Sequence, residues 1–201
     1  MLDPFLRKVI AGPLDRAGAA LARRGIRPDG VTFIGFGLGV AAALALAFRL
    51  DGLAALLMLA NRLCDGLDGA VARAAGTSDL GGYYDIVFDF VFYSGIVFGF
   101  AVGRPEAALP AAFLIFSFVG TGTSFLAYAV IAAKRNLTTS LRGPKAFFHV
   151  GGLAEGTETI AALLAICLFA PAFEWIAYGF GALCWVTTAG RVLAARRAFG
   201  A

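Results

Sequence analysis

The chain has 201 residues, 60% of them apolar and only 15% charged, with 26 glycines and a mean hydropathy of +0.81. Soluble domains run at roughly 45–50% apolar and about 25% charged, so a soluble globule, a disordered chain and a disulfide scaffold are excluded and an integral membrane protein remains. A net charge of +4 from 17 basic and 13 acidic residues is too small and too scattered for a nucleic-acid footprint.

The first thirty residues differ in kind from the rest. Leu6, Val9, Ile10, Leu14, Ala17 and Leu21 fall at helical spacing, with most Arg and Lys on other faces. That pattern predicts an amphipathic helix lying in the cytoplasmic interface of the membrane, its basic side toward anionic headgroups. Pro13 falls inside it and predicts a kink or break. The opening residues lack the apolar core and small-residue cleavage site of a signal peptide.

Residues 31–201 read as one transmembrane domain. Spanning helices need about 20 mostly apolar residues. Six candidates follow in order: Val31 to Phe48, Leu53 to Val71, Tyr83 to Val102, Ala107 to Ala133, Gly151 to Phe169 and Phe173 to Leu193. Pro105 and Pro171 mark two of the turns. The expected fold is therefore all-α and integral to the membrane, with six transmembrane helices behind an N-terminal interfacial helix. The glycine pairs Gly35/Gly39 and Gly95/Gly99, each four apart, predict close helix packing. Cys64, Cys167 and Cys184 lie singly in apolar stretches, which suits small packing residues rather than a zinc site or disulfide frame.

Basic residues set the orientation. Arg7, Lys8, Arg16, Arg23, Arg24 and Arg27 precede the first span. Arg73, Lys134, Arg135, Arg142, Lys145, Arg191, Arg196 and Arg197 fall on the same side, and only Arg49 and Arg104 on the other. The positive-inside rule then puts both termini in the cytoplasm. The expected location is the cell's inner membrane.

The stretch from Asn61 to Phe90 carries the chemistry. Asp65 and Asp68 are i,i+3 near the cytoplasmic end of the second span, and Asp85 and Asp89 are i,i+4 at the cytoplasmic start of the third. The two spans are consecutive and antiparallel, so their acidic faces can meet just inside the membrane. Ionised carboxylates at that depth are costly unless paired or solvated, and point to function. Divalent cations would offset both the burial and the mutual repulsion. Oxygen ligands without a His or Cys pair suit Mg²⁺ or Mn²⁺ rather than zinc, and two ions about 3.5–4 Å apart could clamp a phosphoryl group in an in-line displacement. Gly69 and Gly81 give a ligand clearance to the backbone, and Arg73, one turn beyond Gly69, could hold a phosphate bidentately. Two other readings stand beside this one: structural ion pairs with Arg62 and Arg73, or a cation pathway through the membrane.

Asp65-Gly66-Leu67-Asp68-Gly69-Ala70-Val71-Ala72-Arg73, followed by Gly81, Asp85 and Asp89, resembles the signature of the CDP-alcohol phosphotransferases. Seven residues separate Arg73 from Gly81 where eight are usual, and Gly82 stands one step away. Pro28 to Thr32 resembles the family's lead into its first span, with Asp29 in place of the usual Asn. The resemblance implies transfer of a substituted phosphate from a CDP-linked donor, CDP-diacylglycerol or another CDP-alcohol, to the hydroxyl of a small alcohol, with release of CMP. Carried over by position, Asp65, Asp68, Asp85 and Asp89 would ligate two Mg²⁺ or Mn²⁺ ions, and Asp89 would also be the general base. Gly69, Arg73, Ser78 and Gly81 would contact the CDP moiety. The resemblance also implies a homodimer.

The acceptor is less defined. Lys134, Lys145 and Arg191 are candidates to hold a phosphorylated acceptor such as glycerol 3-phosphate or inositol phosphate, as in similar proteins. They also serve as topology-setting charges. Glu155 and Glu158, three apart at the start of the fifth span, could bind acceptor hydroxyls, counter a cationic acceptor, or pair with Lys145 and Arg191. His149, with no companion His, reads as a loop or interface residue. A transporter would spread its acids along a pathway, and a Mg²⁺-dependent membrane prenyltransferase would need two separated Asp-rich motifs. Both remain as alternatives to the phosphotransferase.

Overall fold

A computed structural model describes the backbone of residues 3–135 and 152–200, and side chains from residue 11 onward. Among the described residues the long elements are all helical: α1 (Asp3–Arg23), α2 (Pro28–Ala47), α3 (Asp51–Ala75), α4 (Asp79–Gly103), α5 (Ala108–Lys134), α6 (Gly156–Leu168) and α7 (Phe173–Phe199). Local chemistry sets the breaks. Gly25, at φ +77°, turns the chain out of α1 where a side chain would be strained. Pro28 opens α2, at a position whose N–H has no partner within the helix. Ser78 caps α4, its hydroxyl oxygen accepting from the Gly81 N–H at 2.9 Å. Pro105 and Pro171 sit in short 3-10 turns ahead of α5 and α7.

The break predicted at Pro13 does not occur, and α1 continues through it. Contacts with α3 hold the helix just beyond the proline. Leu14 lies against Gly66, a Cβ on Gly18 would meet the Ala70 backbone at 2.6 Å, and Asp15 pairs with Arg73 at 2.7 Å. Gly18 is buried and Ala17 exposed, so the face turned to α3 is rotated from the stripe read in the sequence. The side chains of Leu6, Val9 and Ile10 lie outside the described residues.

Each predicted span corresponds to one helix, but they are not alike. Four stretches, Pro28–Ala47, Asp79–Gly103, Pro105–Lys134 and Ala170–Phe199, are long and apolar enough to cross a membrane. α3 has the length, 25 residues, and also carries Asp51, Asn61, Arg62, Asp65, Asp68 and Arg73. α6 has only 13 residues, about 20 Å at 1.5 Å per residue. It begins at Gly156, because residues 152–155 are not helical.

Close approach of small residues brings α2, α3 and α4 together. Gly35 accepts from the Asn61 side-chain amide at 2.7 Å and faces Cys64, while Gly39 faces the Phe92 ring and Gly99 the backbone of Ala43. The buried centre is formed by Leu46, Met58, Ile96, Phe100, Leu114, Leu163 and Ile166, with Phe100 stacked on Phe173 at 4.0 Å. Cys167 and Cys184 are buried and free. The sulfur of Cys167 is 3.5 Å from that of Met58, where α6 meets α3.

At the end of the bundle away from the Asp65–Asp89 acids, Arg104 pairs with Asp51 at 2.6 Å and covers the Phe100 ring at 4.3 Å. Arg49 donates to the Gly103 carbonyl at 2.7 Å. The two basic residues that stood apart in the charge pattern thus brace the α2–α3 turn against α4.

The glycine pair on α4 is not equivalent, although the sequence suggested packing for both. A side chain at Gly99 would be driven into the Ala43 carbonyl, whereas a Cβ at Gly95 meets nothing within 4 Å. Gly99→Val is expected to destabilise the fold by about 3 kcal/mol through overpacking. Gly95→Ala should be neutral or stabilising, because alanine favours a helix over glycine by about 1 kcal/mol. Thermal unfolding of the two purified variants in detergent measures the difference, and equal Tm shifts would contradict it.

Candidate active site

The carboxylates come together because α3 and α4 run antiparallel across a three-residue link, Gly76 to Ser78. Asp85 and Asp89 are one turn apart on α4 and face the inner side of α3. Asp65, Asp85 and Asp89 each offer an oxygen lying within 4.8 Å of the other two. Asp68, buried at 7% exposure, lines the same pocket one turn further along α3 and sits against the Thr32 hydroxyl. It is not among the three that converge. Thr32, Gly35 and Phe36 of α2 close the pocket's third side.

Among the described residues, Arg62 brings a cation to Asp65 and Asp89 directly. Arg62 lies 2.9 Å from Asp89 and 3.6 Å from Asp65, and its guanidinium carbon is 4.6 Å from the centre of the Phe92 ring. Its Nε donates to the Asn61 side-chain oxygen at 2.7 Å, and Asn61 in turn donates to Gly35. The guanidinium is therefore tied to the α2 backbone through one intermediary. Tyr93 donates its hydroxyl to the second oxygen of Asp89 at 3.1 Å. Each carboxylate oxygen has two acceptor sites, so both Asp89 oxygens keep capacity for a further partner.

Carboxylates gathered this closely repel one another, which calls for positive charge among them, and among the described residues Arg62 brings it to Asp65 and Asp89. The donors are all hard oxygens, the set preferred by Mg²⁺ and Mn²⁺ over softer metals. Asp65, Asp85 and Asp89 could each place one oxygen on such an ion, with Asp68 close by.

The other residues singled out in the sequence lie around this pocket, though not in its lining. Gly69 has only the far end of Arg73 within 4 Å of a would-be Cβ, at 3.4 Å. Arg73 itself is turned onto Asp15 of α1, with contacts of 2.7 and 3.1 Å. The Ser78 oxygen is taken by the helix cap, which leaves its own O–H free to donate. Gly81 faces Ser78 and Asp29, at 3.0 and 3.3 Å from a would-be Cβ.

Of the acceptor candidates, Lys134 is exposed at the end of α5. Arg191 is buried at 7% exposure, donates to the Thr121 carbonyl at 2.9 Å, and lies near enough to Glu155 for their charges to interact. Glu155 precedes α6 and accepts from the Gly152 N–H at 3.0 Å, and Glu158 sits in the first turn. Lys145 and His149 lie outside the described residues.

Phe36 and Tyr93 are not among the candidates the sequence points to, while Thr32 and Asn61 stand there only as the ends of the Pro28–Thr32 motif and of the acidic stretch, with no role in the pocket. Tyr93 had a signal, standing one helical turn beyond Asp89. Arg62 stands three before Asp65 and was read only as an ion-pair partner, although it is the residue that ties Asp65 to Asp89.

Residues 26–192 match the model of the CDP-alcohol phosphatidyltransferase family. The chain belongs to that family. It is also 47% identical over 195 residues to the inner membrane protein YnjF of Escherichia coli strain K12, covering 96% of this chain and 94% of that one. An archaetidylinositol phosphate synthase of Pyrococcus horikoshii is 36% identical over 99 residues, 49% of this chain and 53% of the relative. The crystal structure of a Mycobacterium tuberculosis phosphatidylinositol phosphate synthase with CDP-DAG bound superposes with a TM-score of 0.72. It is 20% identical, covering 91% of this chain and 93% of that one, and so the two share a fold. As a CDP-alcohol phosphatidyltransferase the protein is a transferase of phospholipid biosynthesis and a multi-pass membrane protein. Family membership sets aside the transporter and the prenyltransferase.

Proposed function

We propose that the protein transfers a phosphatidyl group from CDP-diacylglycerol to the hydroxyl of a small polar alcohol, releasing CMP. The observation that carries this is the convergence of Asp65, Asp85 and Asp89 within 4.8 Å, beside Asp68, in a member of this family. The four aspartates hold two divalent cations, Mg²⁺ or Mn²⁺. When bound, these supply positive charge that polarises the donor diphosphate and neutralises the departing CMP.

The chain's own groups do the rest. Asp89 accepts the proton of the acceptor hydroxyl as oxygen attacks phosphorus. Arg62 and Tyr93 fix the orientation of its carboxylate, through contacts of 2.9 and 3.1 Å. A carboxylate this heavily engaged is a weak base, so alignment and electrostatics supply much of the rate. Gly69, Arg73, Ser78 and Gly81 take the CDP group, with Arg73 exchanging Asp15 for phosphate.

The chain crosses the membrane six times behind the interfacial α1, the 13-residue α6 making the fifth crossing together with the residues that flank it, so that residues 1–30 and 31–201 form the two parts of the chain. The termini and the active site face the cytoplasm, and two copies form a dimer. Asn61, Arg62, Asp65 and Asp68 of α3 line the pocket rather than face lipid, which favours its spanning despite its composition. The test is incubation of purified protein with CDP-diacylglycerol and a panel of alcohols, following CMP release against a control without acceptor, because water can substitute. Release that depends on one acceptor supports the reading, and none with any alcohol refutes it.

For the acceptor, Arg191 and Lys145 hold a phosphate group, with Glu155 and Glu158 at its hydroxyls. Lys134 does not join them, because it stands on α5 about 20 Å at 1.5 Å per residue beyond Thr121, whose carbonyl Arg191 holds. Arg191→Ala should then raise acceptor KM by about tenfold or more, the usual loss for a charge-assisted hydrogen bond, and Lys134→Ala should leave it unchanged. The effect on donor KM should be small. An unchanged acceptor KM in Arg191→Ala would remove the phosphorylated acceptor.

A further inference from the structure

Arg62 shares its carboxylates with any metal ion that enters the pocket, and the structure holds it there firmly. Its Nη1 lies 2.9 Å from Oδ1 of Asp89 and 3.6 Å from Oδ2 of Asp65, two of the three residues whose oxygens converge. The side chain is only 17% exposed. Its Nε donates to Asn61, which is buried at 3% exposure and donates in turn to Gly35 of α2, both at 2.7 Å. The rings of Phe92 and Tyr93 lie 4.6 and 5.8 Å from the guanidinium carbon. Swinging outward would take this donor from a buried amide oxygen, which is costly. The charge is equally fixed, because arginine stays protonated in proteins. A guanidinium so held steadies the carboxylates when no ion is bound and competes with an ion that arrives.

We propose that Arg62 is a built-in counter-ion that keeps the pocket's affinity for divalent cations low until the donor's diphosphate is present. The inference rests on the reading of the aspartates as metal ligands and adds what governs when they fill. Two effects weaken metal binding to the pocket alone. The guanidinium engages carboxylates of two of the ligands, and it repels a second cation across an interior that screens charge poorly. The diphosphate works the other way. Its anionic oxygens attract the ions and supply hard ligands for coordination positions the aspartates leave open. Loading then depends on nucleotide at ion concentrations too low to fill the pocket alone. Without the arginine the pocket would fill first and wait for its substrate.

The test is Mn²⁺ binding, followed by electron paramagnetic resonance, to the purified wild type, Arg62→Gln and Arg62→Met, each with and without CDP. Without CDP, both variants are expected to bind Mn²⁺ about tenfold more tightly than the wild type, the sign set by removing a nearby positive charge. Arg62→Lys keeps the charge and should stay within about threefold of the wild type. A purely structural Arg62 predicts the reverse, because loss of the tie between Asp65 and Asp89 would lower Tm and Mn²⁺ affinity together. That result, or an Mn²⁺ affinity unchanged in both neutral variants, overturns the proposal. So does an Arg62→Lys that binds as tightly as Arg62→Gln, since charge is then not the cause. Where a neutral variant is unfolded in EDTA, its Tm in Mn²⁺ decides: a fold restored by the ion supports the proposal, and a chain unfolded in both overturns it. Mn²⁺ held by the wild type with CDP, but no more tightly by the variants without it, removes this inference alone. Mn²⁺ held by none of the proteins, with or without CDP, removes the metal reading and this inference with it.

Discussion

Asp89→Asn is expected to lower CMP release by roughly a thousandfold, within the usual range for loss of a general base, while the protein still folds and binds CDP with divalent ions. The side chains are nearly the same size. The asparagine carbonyl can still accept from Tyr93, which holds the native carboxylate at 3.1 Å, so the pocket keeps its shape. Lost are the proton-accepting charge and the ion pair with Arg62, 2.9 Å long in the wild type. Rates of CMP release, a CDP-binding isotherm in Mn²⁺ and a Tm, measured on one preparation, separate these effects. Turnover like the wild type's would remove Asp89 from the base role.

The second large effect is expected at Asp65. Its oxygen lies within 4.8 Å of those of Asp85 and Asp89, and no other residue of α3 offers one in that group. Asp65→Ala should reduce activity to background and flatten its response to Mg²⁺ or Mn²⁺, because removing a ligand to a shared ion weakens metal binding and the transfer together. The response is measured by titrating the metal from EDTA to saturation. Arg62 retains Asp89 in the variant, so the helix pair stays tied and the loss is one of function. Undiminished activity with an unchanged metal response would contradict the assignment.

Some of this was legible because it is local. Spacings of three and four put Asp65 with Asp68 and Asp85 with Asp89 on helix faces, and the short link between the spans made them antiparallel neighbours. The bounds of α2, α4, α5 and α7 follow from apolar length and from prolines. What sequence did not give depends on the third dimension. Thr32 and Phe36 reach the pocket only because α2 packs against both acidic helices, and the partner of Arg73, Asp15, is 58 residues away. Gly95 and Gly99 are indistinguishable as letters, and only the position of Ala43 makes one a contact and the other a gap. Hydropathy likewise counts the charges of α3 against it as a span without knowing which way they face.

The claim beneath all of these expectations is that the aspartates hold divalent cations that in turn hold a nucleotide diphosphate. Binding of CDP to the purified protein, titrated with and without Mn²⁺ and with bound Mn²⁺ counted by its electron paramagnetic resonance signal, tests it most directly. The prediction is two Mn²⁺ per chain in the presence of CDP, CDP affinity that vanishes in EDTA, and loss of both in Asp65→Ala and Asp85→Ala. CDP binding that is equally tight in EDTA, or Mn²⁺ binding untouched by these substitutions, would contradict it.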